Sequence, residues 1–139
     1  MSLYNQFATN KEAEVEGVEV QYGANADGSI PSFRISRMSK ANKKYTKALE
    51  RATRPHRRAI ELETMNNDLA ERLFMGVFVD TVLLGWNNVQ DRDGNNIAFN
   101  RENALKLFED LPELYDDLQE KAKKASLFRE ESLEGEAGN

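Results

Sequence analysis

A chain of 139 residues, 40% hydrophobic and without cysteine, is long enough to fold as one domain with a real core, and it excludes disulfides, thiolate metal sites and cysteine nucleophiles. The formal charge of -5 conceals a division of sign. Between Arg34 and Arg58 stand ten Lys or Arg and one acid, Glu50, whereas from Glu102 onward eleven acids face five basic residues. Separated signs of this kind suit an acidic partner at one end and repel nucleic acid at the other.

The opening MSLYNQFATNKEAE has neither the basic start nor the apolar run of a secretory signal. The most apolar stretch, Leu73 to Trp86, is too short to span a bilayer and carries Asp80. A soluble cytoplasmic protein is expected. Residues 1–14 lack periodicity and read as a flexible arm, residues 15–131 as a single domain, and residues 132–139 as a polar, flexible tail.

Within that domain, EVEGVEVQY alternates, with Val18, Val20 and Tyr22 sharing one strand face. GANADGS is turn chemistry, and Phe33 and Ile35 alternate again, so a β-hairpin is expected over 15–38. Residues 39–131 read as helical. Ser39 is the expected cap of a helix whose narrow apolar stripe is Ala41, Tyr45, Ala48, Leu49 and Ala52, with a kink or fresh start at Pro55. Asn66 or Asn67 caps a helix over about 67–84 that is apolar nearly all round and ends with Gly85 as a left-handed cap. Asn100 caps RENALKLFEDL, and Pro112 opens a last helix, PELYDDLQEKAKKASLFREES. The expected fold is mainly α: a short N-terminal β-hairpin followed by a bundle of about four to five helices.

The stretch DRDGNNIAFNRE tests as a calcium loop. Counted from Asp91, its oxygen ligands and Glu102 fall correctly, but Asn96 occupies the position that requires glycine. Counted from Val89, Gly94 is placed correctly, but the first and twelfth ligands are lost. A tight turn with Gly94 at positive φ is the simpler reading. Asp80, a carboxylate on an apolar helix, needs a partner, and it is expected either to pair with an arginine of the basic segment such as Arg58 or to face the rim of a partner groove. The acids Glu109, Asp110, Glu113, Asp116 and Asp117 form no directed pair, and there is no phosphate loop or nucleophile elbow. No catalytic residue, metal ligand or cofactor is assigned, and the protein is expected not to be an enzyme.

The order of segments ANKKYTKALERATRPHRR, then VDTVLLGWNNVQDRDG and FNRENALKLFEDLPELYDDLQE, resembles the tail assembly chaperones of long-tailed bacteriophages. The likeness covers about residues 33–131. It implies a small, helical, non-enzymatic protein of the host cytoplasm that binds the tape measure protein and is absent from the mature virion. It also implies that this chain is the shorter product, a frameshifted form of which recruits the tail tube protein. Motif residues without an assigned role are Asp80, Gly85, Trp86, Asp91, Asp93, Gly94, Asn103 and Pro112. On this reading Leu73, Phe74, Val77, Phe78 and Trp86 form a core or client groove. Lys40, Lys43, Lys44, Lys47, Arg51 and Arg54 form a charged face that attracts acidic client stretches. Surplus apolar stripes leave room for self-association, and no membrane partner is implied. The rival readings are a small nucleic-acid-binding or regulatory phage protein using the basic 34–58 face, and a structural tail adaptor.

Overall fold

The computed structural model describes residues 2–129. It opens with two short helices, α1 over Leu3–Phe7 and α2 over Lys11–Glu16, where the sequence suggested a flexible arm. Local caps and a tertiary anchor stand in for periodicity here. The side chains of Ser2 and Asn10 accept from the amides of Asn5 and Ala13. Glu14 is buried, and its carboxylate accepts from the Thr9 hydroxyl and pairs with Arg37 at 3.4 Å, which makes its burial tolerable. The Asn10 amide donates to the carbonyl of Phe128 at 2.6 Å, tying α2 to the far end of the described chain.

The alternating segments form strands β1, Val18–Gln21, and β2, Ser32–Ile35, paired antiparallel with Val20 opposite Phe33. Gly17 turns the chain from α2 into β1 at φ +94°, and a Cβ there would lie 2.8 Å from both Arg34 Cγ and Leu84 Cδ1. Glycine is required on both counts.

A third strand, β3 over Leu83–Asn87, pairs antiparallel with β2, giving the order β1-β2-β3. This corrects the expected helix end. Gly85 does not cap a helix; it lies in β3 opposite Arg34, and its φ is not positive. The run VLLGW satisfies either a buried helix or a strand, and the open edge of β2 decides between them by offering partners for the backbone groups of β3. The hairpin and the helical part are therefore joined through one sheet. The protein is mainly helical with a small three-stranded sheet, rather than a hairpin followed by a bundle.

The remaining helices are α3, Lys43–Thr53; α4, Arg57–Glu61; α5, Asn67–Thr81; α6, Arg101–Asp110; and α7, Pro112–Lys123. A 3-10 turn over Arg54–His56, with Pro55 inside it, separates α3 from α4. Asn66 and Asn100 cap α5 and α6 as expected. Asn42, not Ser39, caps α3: its Oδ1 accepts from the Tyr45 amide, while its Nδ2 donates to the Arg37 carbonyl at 2.8 Å and to Ser36 Oγ at 3.2 Å. The extra bonds to β2 and its exit favour Asn42. The last helix stops at Lys123, earlier than expected, and a 3-10 turn over Ala125–Phe128 folds Phe128 fully into the interior. The expected domain end at 131 and the tail over 132–139 lie outside the described residues.

The core lies between the inner face of the sheet and α5, α6 and α7. Phe78, Phe108 and Tyr115 pack at ring-centroid distances of 5.4 to 6.0 Å, with Leu118, Val82 and Ile35 around them. Each such fully buried side chain contributes about 1.5–3 kcal/mol. A second aromatic row, Tyr22–Phe33–Trp86–Phe99, crosses the sheet edge-to-face.

Candidate partner-binding site

Helix α3 carries an apolar stripe of Tyr45, Ala48, Leu49 and Ala52 at helical spacing, and it packs chiefly on α5. Yet no residue of α3, the 3-10 turn or α4 is buried, and on α5 burial begins only at Gly76. Helices α3 and α5 therefore form a pair whose apolar side chains are only partly covered, and α4 continues from α3. Ile60 is 40% exposed, Leu62 61%, Leu69 39% and Phe74 41%.

The side of α3 turned away from its apolar stripe is basic. Lys40, Lys43, Lys44, Lys47, Arg51 and Arg54 are all exposed. Arg54 pairs with Glu50 at 2.9 Å and holds that carboxyl below its ordinary range. Among the described residues, Lys40, Lys43, Lys44, Lys47 and Arg51 have no carboxylate within 4.0 Å. Three cations elsewhere are matched, Arg37 with Glu14, Arg101 with Asp80 and Lys121 with Asp117. Helices α5, α6 and α7 begin with Asp68, Glu102 and Glu113, whereas α3 begins with two lysines and no acid. Cations at the positive end of a helix dipole are unfavourable, so α3 concentrates positive potential on its exposed side. The phenol of Tyr45, on the same helix, is pushed up by burial.

The sequence-predicted groove residues divide among three places. Leu73 and Phe74 lie on the uncovered half of α5, Val77 and Phe78 are buried, and Trp86 is on β3. Phe78 is a core residue, packed edge-on to Phe108 and Tyr115. The Tyr115 phenol is pushed up by burial first and by Asp116 second.

The motif residues shape the passage from α5 to α7. Asp80 pairs with Arg101 Nε at 2.8 Å, not with the basic segment, because α6 begins beside the C-terminal half of α5. Asp91 is the pivot of a turn: its Oδ1 accepts from the amides of Asp93 and Asn95, and Gly94 takes φ +83°. Asn103 Nδ2 donates to the Ala98 carbonyl at 2.9 Å, fixing the approach to α6, and Pro112 opens α7. The polar stretch is thus a closed turn whose flanks are held by Trp86 Nε1 donating to the Ile97 carbonyl.

Two features had no sequence signal. Asn25 Nδ2 donates to the Asn88 carbonyl, Asn88 Nδ2 to the Ile30 carbonyl and Gln90 Nε2 to Asp27, stitching the β1–β2 loop to the end of β3. Together with Ser29, whose bonds come first, Gln90 holds the Asp27 carboxyl down at about 2. On the outer face of the sheet, a hollow of about 250 Å³ lies over Glu19, Arg34 and Gly85. Both depend on the third strand, which sequence periodicity did not disclose.

A family model described as YdaY prophage protein matches residues 40–139. The chain belongs to the YdaY prophage protein family. It is a phage-associated protein. No curated protein and no solved structure matches it. The YdaY region contains the basic segment from Lys40, helices α3 to α5, β3, α6 and α7, whereas α1, α2, β1 and β2 precede it. The sheet is therefore built jointly by the YdaY region and the segment before it.

Proposed function

We propose that this YdaY-family protein is a non-enzymatic tail assembly chaperone that binds and solubilises the tape measure protein in the host cytoplasm and is left out of the mature virion. The observation that carries this reading is the partly uncovered apolar surface of α4 and the N-terminal half of α5, where Ile60, Leu62, Leu69 and Phe74 remain exposed. An amphipathic client helix covers such a face by completing a third packed element, hiding its own apolar stripe from water. The unmatched cations Lys43, Lys44, Lys47 and Arg51, on the outer side of α3, attract acidic client stretches and keep the complex soluble. The resemblance of the α5–α7 motifs to tail assembly chaperones supports the same role, including recruitment of the tail tube protein by an extended form.

The test is capture of the tape measure protein encoded by the same phage on the tagged chain. Capture by the native chain and its loss in a Lys43→Glu, Lys44→Glu, Lys47→Glu variant of unchanged thermal midpoint are expected. Undiminished capture by that variant removes the steering role. The rival use of the basic face, phosphate binding, is separated by titration with a DNA duplex, because counterion release makes that affinity fall steeply with salt.

A further inference from the structure

Aspartate is followed by glycine at two places, Asp27–Gly28 and Asp93–Gly94. Glycine has no side chain to keep its amide nitrogen away from the preceding carboxyl, so that nitrogen can close a five-membered succinimide on the aspartyl Cγ. Both steps lie in exposed turns, with the glycines at φ +88° and +83°. Their amides are engaged alike: Gly28 donates to the Asn25 carbonyl at 2.9 Å and Gly94 to the Asp91 carbonyl at 3.1 Å. The carboxyls are not alike. Asp27 Oδ1 accepts from the amide and the hydroxyl of Ser29, at 2.9 and 2.6 Å, and its Oδ2 accepts from Gln90 Nε2 at 2.9 Å. Both oxygens are anchored. Asp93 is exposed, and among the described residues its carboxyl accepts no hydrogen bond and meets no cation within 4.0 Å. Asp91 supplies the side-chain contacts of that turn, which leaves the Asp93 side chain to rotate toward the Gly94 nitrogen.

The structure assigns Asp93–Gly94 as a site of self-modification, where the folded protein converts aspartate to isoaspartate while Asp27–Gly28 is protected. The Gly94 nitrogen attacks Cγ of Asp93 in its neutral form, and an N–C bond forms. The amide proton and the carboxyl hydroxyl leave together as water. A second water then opens the ring. Opening at Cγ restores aspartate, and opening at the original main-chain carbonyl sends the backbone through Cβ and Cγ. At Asp27 the Ser29 and Gln90 bonds favour the ionised form, bringing the carboxyl from its ordinary 3.8 to about 2, and a carboxylate has no hydroxyl to lose. The product at Asp93 lengthens the turn by one backbone carbon. The bonds that span this length are Asp91 N–H to the Asn95 carbonyl, Gly94 N–H to the Asp91 carbonyl and Asn95 N–H to Asp91 Oδ1. They fit only the unmodified chain, so modification opens the turn.

The test is incubation of the folded full chain at about pH 5 and about 37 °C for about two weeks, followed by isoaspartyl methyltransferase labelling and peptide mapping. Label at Asp93 should exceed label at Asp27 by ~10-fold or more, since each unit of depression at Asp27 is tenfold in its neutral fraction. Asp93→Glu should abolish the first signal, because a six-membered ring closes far more slowly. Ser29→Ala with Gln90→Ala should raise label at Asp27 by ~10-fold or more and leave Asp93 unchanged. The aged native chain should melt lower than Asp93→Glu aged in the same way. No label at Asp93 in the folded chain overturns the assignment, as does equal label at the two steps. Label at Asp27 that does not rise in the Ser29→Ala, Gln90→Ala variant overturns the protection.

Discussion

The indole N–H of Trp86 donates to the backbone carbonyl of Ile97 at 2.8 Å, bridging the two sides of the Asp91 turn. Trp86 also stands edge-on to Phe33 and Phe99, so one side chain connects sheet, turn and the approach to α6. The polar stretch between two apolar segments is thereby explained: it is the solvated tip of a turn clamped at its base. Replacing Trp86 by Phe keeps most of the apolar contact and removes the donor. The loss should be about 1 kcal/mol of unfolding free energy, read by urea denaturation.

Two glycines of the same motif should respond differently to alanine. Gly94 takes φ +83°, so Gly94→Ala should cost about 1 kcal/mol from backbone strain. Gly85 lies in β3 without positive φ, and a Cβ there meets no atom within 4 Å. Gly85→Ala should shift stability by no more than about 0.5 kcal/mol. A large loss at Gly85 and none at Gly94 would reverse the assignment of strand and turn. Thermal midpoints of the two variants suffice to decide.

The contrast between those glycines also marks what the sequence could disclose. Features written in local chemistry were legible: the alternation of Val18, Val20 and Phe33, the caps Asn66 and Asn100, Pro112 at a helix start and the Gly94 turn. Features decided by distant partners were not. Gly85 looked like a helix stop because nothing local announces that β2 has a free edge. The helix α2 is held by Glu14 meeting Arg37 across the sequence, and Ser39 lost the cap of α3 to an asparagine that also bonds the exit of β2. For the site, the basic face was visible as composition. The incomplete cover of α3 was not, since a stripe of Tyr45, Ala48, Leu49 and Ala52 reads the same whether buried or half-open.

Within α5, Phe78 and Phe74 separate folding from recognition. Phe78 is fully buried and meets two other rings, so Phe78→Ala should cost about 3–5 kcal/mol. Phe74 is 41% exposed, and Phe74→Ala should cost about 1 kcal/mol while weakening capture of the tape measure protein. Parallel denaturation and capture assays distinguish the two effects.

The Tyr22–Asp117 pair gives stability a pH signature at both ends. Tyr22 Oη donates to Asp117 Oδ2 at 2.5 Å, and Lys121 donates to the same oxygen at 2.8 Å. Lys121 first and Tyr22 second hold the Asp117 carboxyl below its usual range. Its contribution is present above the unfolded value of about 4 and is lost as pH falls through the lower folded value. Burial first and the Asp117 bond second push the Tyr22 phenol above its usual range. That contribution is complete below about pH 10 and is lost as pH rises through the higher folded value. In urea titrations across pH, Asp117→Asn should flatten the acid limb and Tyr22→Phe the alkaline limb. An acid limb unchanged in Asp117→Asn would remove the pair as its source.

The chaperone reading is tested most directly by co-expressing this chain with the tape measure protein of the same phage, beside the tape measure protein expressed alone. Coelution of the two on size exclusion, with the tape measure protein rescued from the insoluble fraction, is the expected result. An insoluble tape measure protein beside a soluble, unbound YdaY-family chain would contradict it.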